Sequence, residues 1–156
     1  MARMDADEAR RRFTAARVAR LATVDDAGRP HLVPVVFAAR GDDGVVTAVD
    51  HKPKSTTSLK RLRNIAVTPP VCLLADAYDE DWDRLWWVRA DGGARIVPPD
   101  AADAGARQEY EDALARLSRK YAQYRDAPPH GPVIAVTVHH WTGWQAAPAS
   151  AAGPAG

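Results

Sequence analysis

Hydrophobic and polar positions alternate in short runs along most of this chain, a pattern that is typical of β-strands. The runs predict seven strands, at residues 18–24, 31–38, 45–49, 71–75, 85–90, 94–97 and 133–140. Turn-forming residues separate several of them, and the clusters at residues 25–30 and 91–93 predict β-hairpins. We therefore expect the strands to pair mostly with their sequence neighbours, as an antiparallel meander.

Hydrophobic residues recur at helical spacing in three further segments, residues 5–17, 55–66 and 100–124. The first helix begins with Asp5 and Glu8, which resemble a capping box. Together, the helices and strands predict a mainly β fold, an antiparallel barrel with α-helices packed outside. Several strands are apolar on both faces, so we expect a helix or a second subunit to cover the outer face. This predicts a homodimer.

The chain has 156 residues, the size of one ordinary domain. We expect that domain at residues 1–145, followed by a disordered Ala/Pro/Gly/Ser-rich tail at residues 146–156. Cys72 is the only cysteine, and no signal peptide or membrane-spanning run is found, which predicts a cytoplasmic protein without a membrane partner. The net charge of +1 provides no overall field for nucleic acid, so we expect no nucleic-acid partner.

Cations and hydroxyls are grouped between the third predicted strand and the second predicted helix. The residues concerned are Asp50, His51, Lys52, Lys54, Ser55 and Thr56. Free N–H groups at a helix start, Ser and Thr hydroxyls and lysine ammonium groups all favour a phosphate or carboxylate. The segment is either an anion site or a solvated loop before an ordinary N-cap, and its composition alone favours neither.

Five tryptophans are many for this length, and flat rings can stack on a planar cofactor. Core or interface packing is the more frequent role of any single tryptophan. Trp86 and Trp87 are adjacent on a predicted strand, so their side chains should point to opposite faces. Trp87 and Trp144 are the best candidates for contact with a cofactor.

Other chemistries have little support in the sequence. It contains neither a Walker glycine pattern nor a Gly-x-Ser-x-Gly elbow, and the acidic run at residues 76–83 lacks EF-hand spacing. His139 and His140 alternate faces on a predicted strand and cannot share one metal ion. No side chain stands out as a catalytic acid or base, which suits a protein whose bound cofactor performs the difficult step.

Three motifs resemble the pyridoxamine 5′-phosphate oxidase-like proteins. ARLATV at residues 19–24 and DxGxPHxVPV at residues 26–35 look like the opening hairpin of that family. KPK at residues 52–54, before a helix ending in LRNI at residues 62–65, is similar to the Lys-x-Lys segment of its F420-dependent members. DxYDEDWxxLWWVRxxG at residues 76–92 resembles one subfamily of these small enzymes. The resemblance covers about residues 8–146.

The resemblance implies a split β-barrel of the FMN-binding type, a homodimer with two cofactor sites at the subunit interface. It implies the deazaflavin coenzyme F420 as cofactor, with FMN as the alternative. Lys52 and Lys54 map to positions that hold the anionic phosphate and tail, and Pro34 and Val35 map to the wall beside the ring. Aromatic residues close the site across the dimer in this class, which would give Trp86 or Trp87 that role.

The implied activity is an F420-dependent oxidoreductase, which transfers hydride between F420H2 and an unidentified electron-poor small molecule. Two alternatives remain, an FMN-binding flavoprotein like pyridoxamine-phosphate oxidase and a non-catalytic carrier of F420 or flavin. His51-Lys52 stands where FMN oxidases typically have an arginine–lysine pair, which favours F420 over FMN. Thr68-Pro69 stands where many relatives have Asn-Pro.

Overall fold

Strands with helices packed on them make up the chain in the computed structural model, which describes residues 2–49 and 56–146. The strands are β1 (Ala2–Arg3), β2 (Ala19–Val24), β3 (Pro30–Val35), β4 (Ala38–Arg40), β5 (Gly44–Ala48), β6 (Pro70–Ala77), β7 (Trp86–Val97) and β8 (Val133–Gln145). The helices are α1 (Ala6–Ala15), α2 (Thr56–Val67), α3 (Ala104–Lys120) and α4 (Ala122–Asp126), with a short 3₁₀ turn at Trp82–Arg84. The prediction of a mainly β fold with helices is confirmed.

The strands form one antiparallel sheet in the order β3-β2-β6-β7-β8-β5-β4, and β1 pairs with β8. The two edge strands, β3 and β4, are joined by only Val36 and Phe37. Three residue steps span at most about 11 Å, so this connection brings the two edges of the sheet together. The sheet therefore curls into a barrel that is split between β3 and β4. We call the two-residue connection the seam.

Side chains from other elements hold the seam. Thr47 Oγ1 donates a hydrogen bond to the carbonyl of Val36 at 2.7 Å. The Tyr121 hydroxyl accepts from the Phe37 N–H at 3.1 Å and faces the Phe37 carbonyl at 2.9 Å. Lys120 Nζ lies 3.8 Å from the centre of the Phe37 ring. Residues at the junction of α3 and α4 thus hold the connection between the two edge strands in place.

Two apolar clusters stabilise the fold. The barrel interior is filled by inward side chains, among them Phe13, Leu21, Phe37, Leu73, Val88 and Ile134. A second cluster lies between α3 and strands β4, β5 and β8, and includes Val46, Tyr110, Leu117 and Val133. Among the helices of residues 2–49 and 56–146, none is long and apolar enough to cross a membrane.

The predicted hairpin of residues 85–90 and 94–97 is wrong, because β7 runs unbroken from Trp86 to Val97 beside β8. The glycines at residues 92–93 do not form a turn. The register shifts between Asp91 and Gly92, as in a β-bulge. A Cβ on Gly92 would lie 2.1 Å from the carbonyl oxygen of Thr137, so the glycine permits a close approach of two backbones.

Other elements also differ from the prediction: β1 and β4 were not predicted, and β6 runs from Pro70 to Ala77. The strand predicted at residues 31–38 ends at Val35, because the chain crosses at the seam to the opposite edge. The helix predicted at residues 100–124 is divided at Tyr121, whose backbone is extended with φ −120° and ψ 116°. The last strand continues through residue 145, where it pairs with β7 and β1. The predicted start of α1 is confirmed, since the Asp5 side chain accepts from the Glu8 N–H at 2.8 Å.

Candidate functional site

The outer face of β3, β2, β6, β7 and β8 collects polar and aromatic side chains. Directly paired residues of antiparallel strands project on the same side of a sheet, so the register defines rows across this face. The first row is Pro34, Arg20, Leu74, Arg89 and Thr142; the second is Leu32, Ala22, Cys72, Asp91 and His140; the third is Asp76, Trp87 and Trp144.

A groove of about 610 Å³ lies on this face, within the usual range for small-molecule pockets. We call it the outer groove. Its walls are mostly apolar, with charged groups at their edges. It is lined by Arg20, Ala22, Leu32, Cys72, Leu74, Asp76, Tyr78, Trp87 and Arg89. Its shape suits a flat, largely apolar ligand that has a few polar atoms.

Two arginine–aspartate pairs lie at the outer groove: Arg20, Asp76 and Arg89 line it, and Asp91 pairs with Arg89 beside it. Arg20 Nη1 lies 3.2 Å from Asp76 Oδ1, and Arg89 Nε lies 3.1 Å from Asp91 Oδ2. Burial, helped by the negative charge of Asp91, raises the pKa of the Cys72 thiol to about 11. The thiol is therefore protonated at neutral pH, which makes it a poor nucleophile.

A cationic cluster of His31, Lys60 and Arg61 lies where β3 meets α2. Burial lowers the pKa of His31, and the positive charges of Lys60 and Arg61 lower it further. His31 Nδ1 is buried and has no hydrogen-bond partner within residues 2–49 and 56–146. Asn64 Nδ2 donates to Thr23 Oγ1 at 3.1 Å and so holds α2 against β2. A bound anion here would lie close to the positive charges of Lys60 and Arg61.

Sequence reasoning missed this cluster, although a signal was present. The chain has only four lysines among 21 basic residues, so each lysine carries more information than an arginine does. Lys60 is one of the four and begins the second turn of α2. The segment predicted to bind an anion, residues 50–56, precedes Lys60 by only a few residues in the sequence.

The structure places the predicted site residues differently from one another. Pro34 lies on the outer face, opposite Arg20, whereas the Val35 side chain is 6% exposed and packs in the barrel core. Trp86 and Trp87 face opposite sides, as predicted. Trp87 lines the outer groove, with Trp144 directly across from it.

Trp86 lies instead beside Arg12, whose guanidinium carbon is 5.6 Å from the ring centre. A second cavity of about 490 Å³ lies here and shares Tyr78 with the outer groove. Thr56 is the first residue of α2. Asp50, His51, Lys52, Lys54 and Ser55 fall outside the described residues, as does most of the predicted tail.

The described residues include two buried polar atoms that can bond to a ligand. One is His31 Nδ1, and the other is Thr142 Oγ1, which is buried without a hydrogen-bond partner next to Arg89 in the first row. Buried polar atoms are usually hydrogen-bonded, so each marks unused bonding capacity. No group of three or more potential metal ligands occurs in residues 2–49 and 56–146.

The comparison with protein families agrees with this fold. Residues 6–145 match the family model described as pyridoxamine 5′-phosphate oxidase. The chain belongs to this family. Among curated proteins, none matches the chain.

Solved structures of similar fold include proteins with different ligands. A FAD-binding protein from Mesorhizobium loti is 21% identical, with a TM-score of 0.68 over 91% of this chain and 95% of its own. The FAD-binding protein of Mycobacterium smegmatis is 19% identical, with a TM-score of 0.61 over 92% and 98%. The heme storage protein HutZ of Vibrio cholerae is 16% identical, with a TM-score of 0.63 over 89% and 90%. At these identities the likeness establishes the fold, and the cofactor has to be argued from the site.

Proposed function

We propose that this member of the pyridoxamine 5′-phosphate oxidase family is an F420-dependent oxidoreductase. The outer groove is the observation that carries the proposal. It combines an apolar floor, the Trp87 ring, the Arg20–Asp76 pair and Arg89 in about 610 Å³, and Asp91 lies beside it, paired with Arg89. A flat tricyclic ring needs such a site, with a few polar groups that fix its orientation. The FAD-binding proteins of similar fold support a flavin-like ligand.

The cationic cluster supports an anionic cofactor. His31, Lys60 and Arg61 meet on β3 and α2, and β3 also borders the outer groove through Leu32. The sequence adds Lys52 and Lys54 just before α2. A phosphate and a charged tail could engage several of these cations, which favours the long anionic tail of F420 over the single phosphate of FMN.

The proposed chemistry is hydride transfer to an electron-poor small molecule. A bound deazaflavin supplies a hydride, and this chain's residues supply position, an apolar wall and fixed charges. The Cys72 thiol, with its pKa of about 11, is a weak acid at neutral pH. A non-catalytic carrier of F420 or flavin is the second candidate, because an apolar groove with paired charges can bind a flat ring without reacting with it.

A second copy of the chain completes this proposal. Leu32 borders the outer groove and is 65% exposed, which leaves apolar surface next to the proposed ring site. We propose that a homodimer covers this face and encloses the ligand. Light scattering at micromolar concentration should then give about twice 16.9 kDa. A monomer under these conditions would contradict the two-subunit site.

Side-by-side fluorescence titrations of F420 and FMN test the cofactor. We expect F420 to bind more tightly, and to be oxidised when an artificial electron-poor acceptor is added. Equal or tighter binding of FMN would favour an FMN flavoprotein instead. Tight binding of F420 without turnover would favour the carrier.

Substitution of the two lysines tests the anion site. Lys52→Ala and Lys54→Ala should each weaken F420 binding roughly ten- to a hundred-fold, because a charge-assisted hydrogen bond contributes about 1.5–3 kcal/mol. Arg107→Ala, an exposed cation on α3, is the matched control and should bind like wild type. Wild-type affinity in both lysine variants would show that residues 50–56 are an ordinary loop before a helix.

A further inference from the structure

The two arginine–aspartate pairs on the outer face leave much of their hydrogen-bonding capacity unused. A guanidinium carries five N–H donors, and in the described structure Arg20 and Arg89 each contact their aspartate through one nitrogen. The two arginine side chains are 46% and 45% exposed, so the remaining donors are open to a ligand. Asp76 and Asp91 are also partly exposed, and each contacts its arginine through one oxygen; Asp91 in addition interacts with the Cys72 thiol. Each pair therefore presents a donor next to an acceptor.

The charge balance of these pairs selects the kind of ligand. Arg20 and Arg89 are offset by Asp76 and Asp91, so the four side chains sum to zero charge. The two carboxylates would repel a bound anion, and the two guanidinium groups would repel a bound cation. A neutral group with an acceptor beside a donor can satisfy both members of a pair without leaving a charge unpaired. A ring imide or lactam, in which C=O adjoins N–H, has this arrangement.

The spacing of the pairs suits a flat ring. Leu74 stands between Arg20 and Arg89 in the first row, which places the two arginine Cα atoms about 10 Å apart across two strand spacings. Leu74 provides an apolar floor, and Trp87 lines the same groove. A ring lying on Leu74 would have polar groups at its edges.

We propose that these pairs orient a flat, uncharged heteroaromatic ring by its imide edge, with Arg89 donating to the ring carbonyl and Asp91 accepting from the ring N–H. This inference rests on the proposed function, because the pyrimidinedione ring of both F420 and FMN has such an edge. Arg20 and Asp76 bound the other side of the ring site. The four residues are thus positioning residues that set which rings fit and how they lie.

The probe for this proposal is lumiflavin, a flavin ring without a phosphate or tail. Its binding is compared with that of 3-methyllumiflavin, in which a methyl group replaces the hydrogen of the imide nitrogen. Binding is followed by quenching of ligand fluorescence. Wild type should bind lumiflavin at least about ten-fold more tightly than the methylated ring, because a hydrogen bond to a charged group is lost. Arg89→Met should weaken lumiflavin binding by a similar factor, and Asp91→Asn should reduce the preference between the two rings.

Arg116→Met is the matched control. Arg116 also pairs with an aspartate, Asp112 at 2.8 Å, but lies on α3 away from the outer groove. The Arg116→Met variant should bind lumiflavin as tightly as wild type does. Near-ultraviolet circular dichroism of each variant checks that the fold is retained.

Three results would overturn the proposal: no lumiflavin binding by wild type, equal affinity for the two rings, or wild-type affinity in folded Arg89→Met. Its failure can be told apart from failure of the proposed function. If F420 and FMN bind and the arginine variants have no effect, only the orientation by ion pairs is wrong. If lumiflavin binds with the expected preference while F420 and FMN do not bind, the ring site stands and the cofactor assignment is wrong.

Discussion

Gly92→Ala tests the close approach of β7 and β8 at the bulge. The added Cβ would lie 2.1 Å from the Thr137 carbonyl oxygen and 2.9 Å from the carbonyl carbon. Carbon–oxygen contacts between adjacent strands normally fall at about 3.3–3.6 Å, so the backbones must separate by roughly 1.2 Å. Both strands belong to the centre of the sheet and neither can move freely.

The expected cost is at the upper end of that for overpacking, about 3 kcal/mol of unfolding free energy. For a chain of this length, that lowers the melting temperature by roughly 6–12 °C. The assay is urea denaturation followed by far-ultraviolet circular dichroism, supported by thermal melts.

Gly93→Ala is the matched control, one residue along the same strand. Its Cβ would lie 3.7 Å from His139 Nε2, an ordinary contact. Both substitutions gain the same small benefit, about 0.4–1 kcal/mol, from a less flexible unfolded chain. The difference between them therefore isolates the steric effect. If the two variants unfold at the same urea concentration, our account of the bulge is wrong.

Four further predictions concern groups outside the outer groove. Asp43 accepts hydrogen bonds from Trp141 and Arg10, which lower the pKa of its carboxyl group. The stability that these bonds provide should be lost as pH falls below about 3.8, the ordinary pKa of the group. In acid denaturation, Asp43→Asn should therefore lose less stability than wild type. The pKa of His31 lies below its usual 6.5, so the free energy of unfolding of wild type should fall as pH drops below 6.5. In His31→Gln this fall should be smaller. Inorganic phosphate should raise the pKa of His31 in an NMR titration, and no change would argue against an anion at the cationic cluster. Tyr121→Phe removes the hydroxyl at the seam and should lower the free energy of unfolding in urea by about 1–3 kcal/mol. A loss below about 0.5 kcal/mol would show that the hydroxyl does not stabilise the seam.

Local patterns predicted the elements whose causes are local. The alternation in β2 and β5 placed both strands to within one residue at each end, and the capping residues Asp5 and Glu8 placed the start of α1. The opposite directions of Trp86 and Trp87 followed from the strand period alone.

The errors occurred where a distant partner decides the structure. Glycines 92 and 93 have the composition of a turn, and only the presence of Thr137 on β8 makes them a bulge. The crossing at Val36 and Phe37 lies inside an apolar run that reads as one strand. Local sequence does not specify which strand will pair with an edge.

The site was predicted in part for the same reason. Resemblance placed Pro34 and Val35 beside a ring and gave Trp86 or Trp87 the role of closing the site. The structure puts Pro34 and Trp87 on one outer face, and Val35 and Trp86 on the opposite side of the sheet. The arginine–aspartate pairs were not predicted, because Arg20 and Asp76 come together only through the pairing of β2 with β6. In a chain this rich in arginine, no single arginine stood out.

The seam also has a consequence for the order in which the barrel assembles. β2 and β3 form one local hairpin and β4 and β5 form another, with Val36 and Phe37 as the hinge between them. Each hairpin joins the rest of the sheet through a distant strand, since Leu21 pairs with Leu73 and Val46 with Ala135. Closing such long loops is slow compared with hairpin formation, so we expect the hairpins to form first and the seam to be fixed later. Interactions that form late chiefly govern the unfolding rate, so we expect the seam to affect how long the closed barrel lasts more than how quickly it forms.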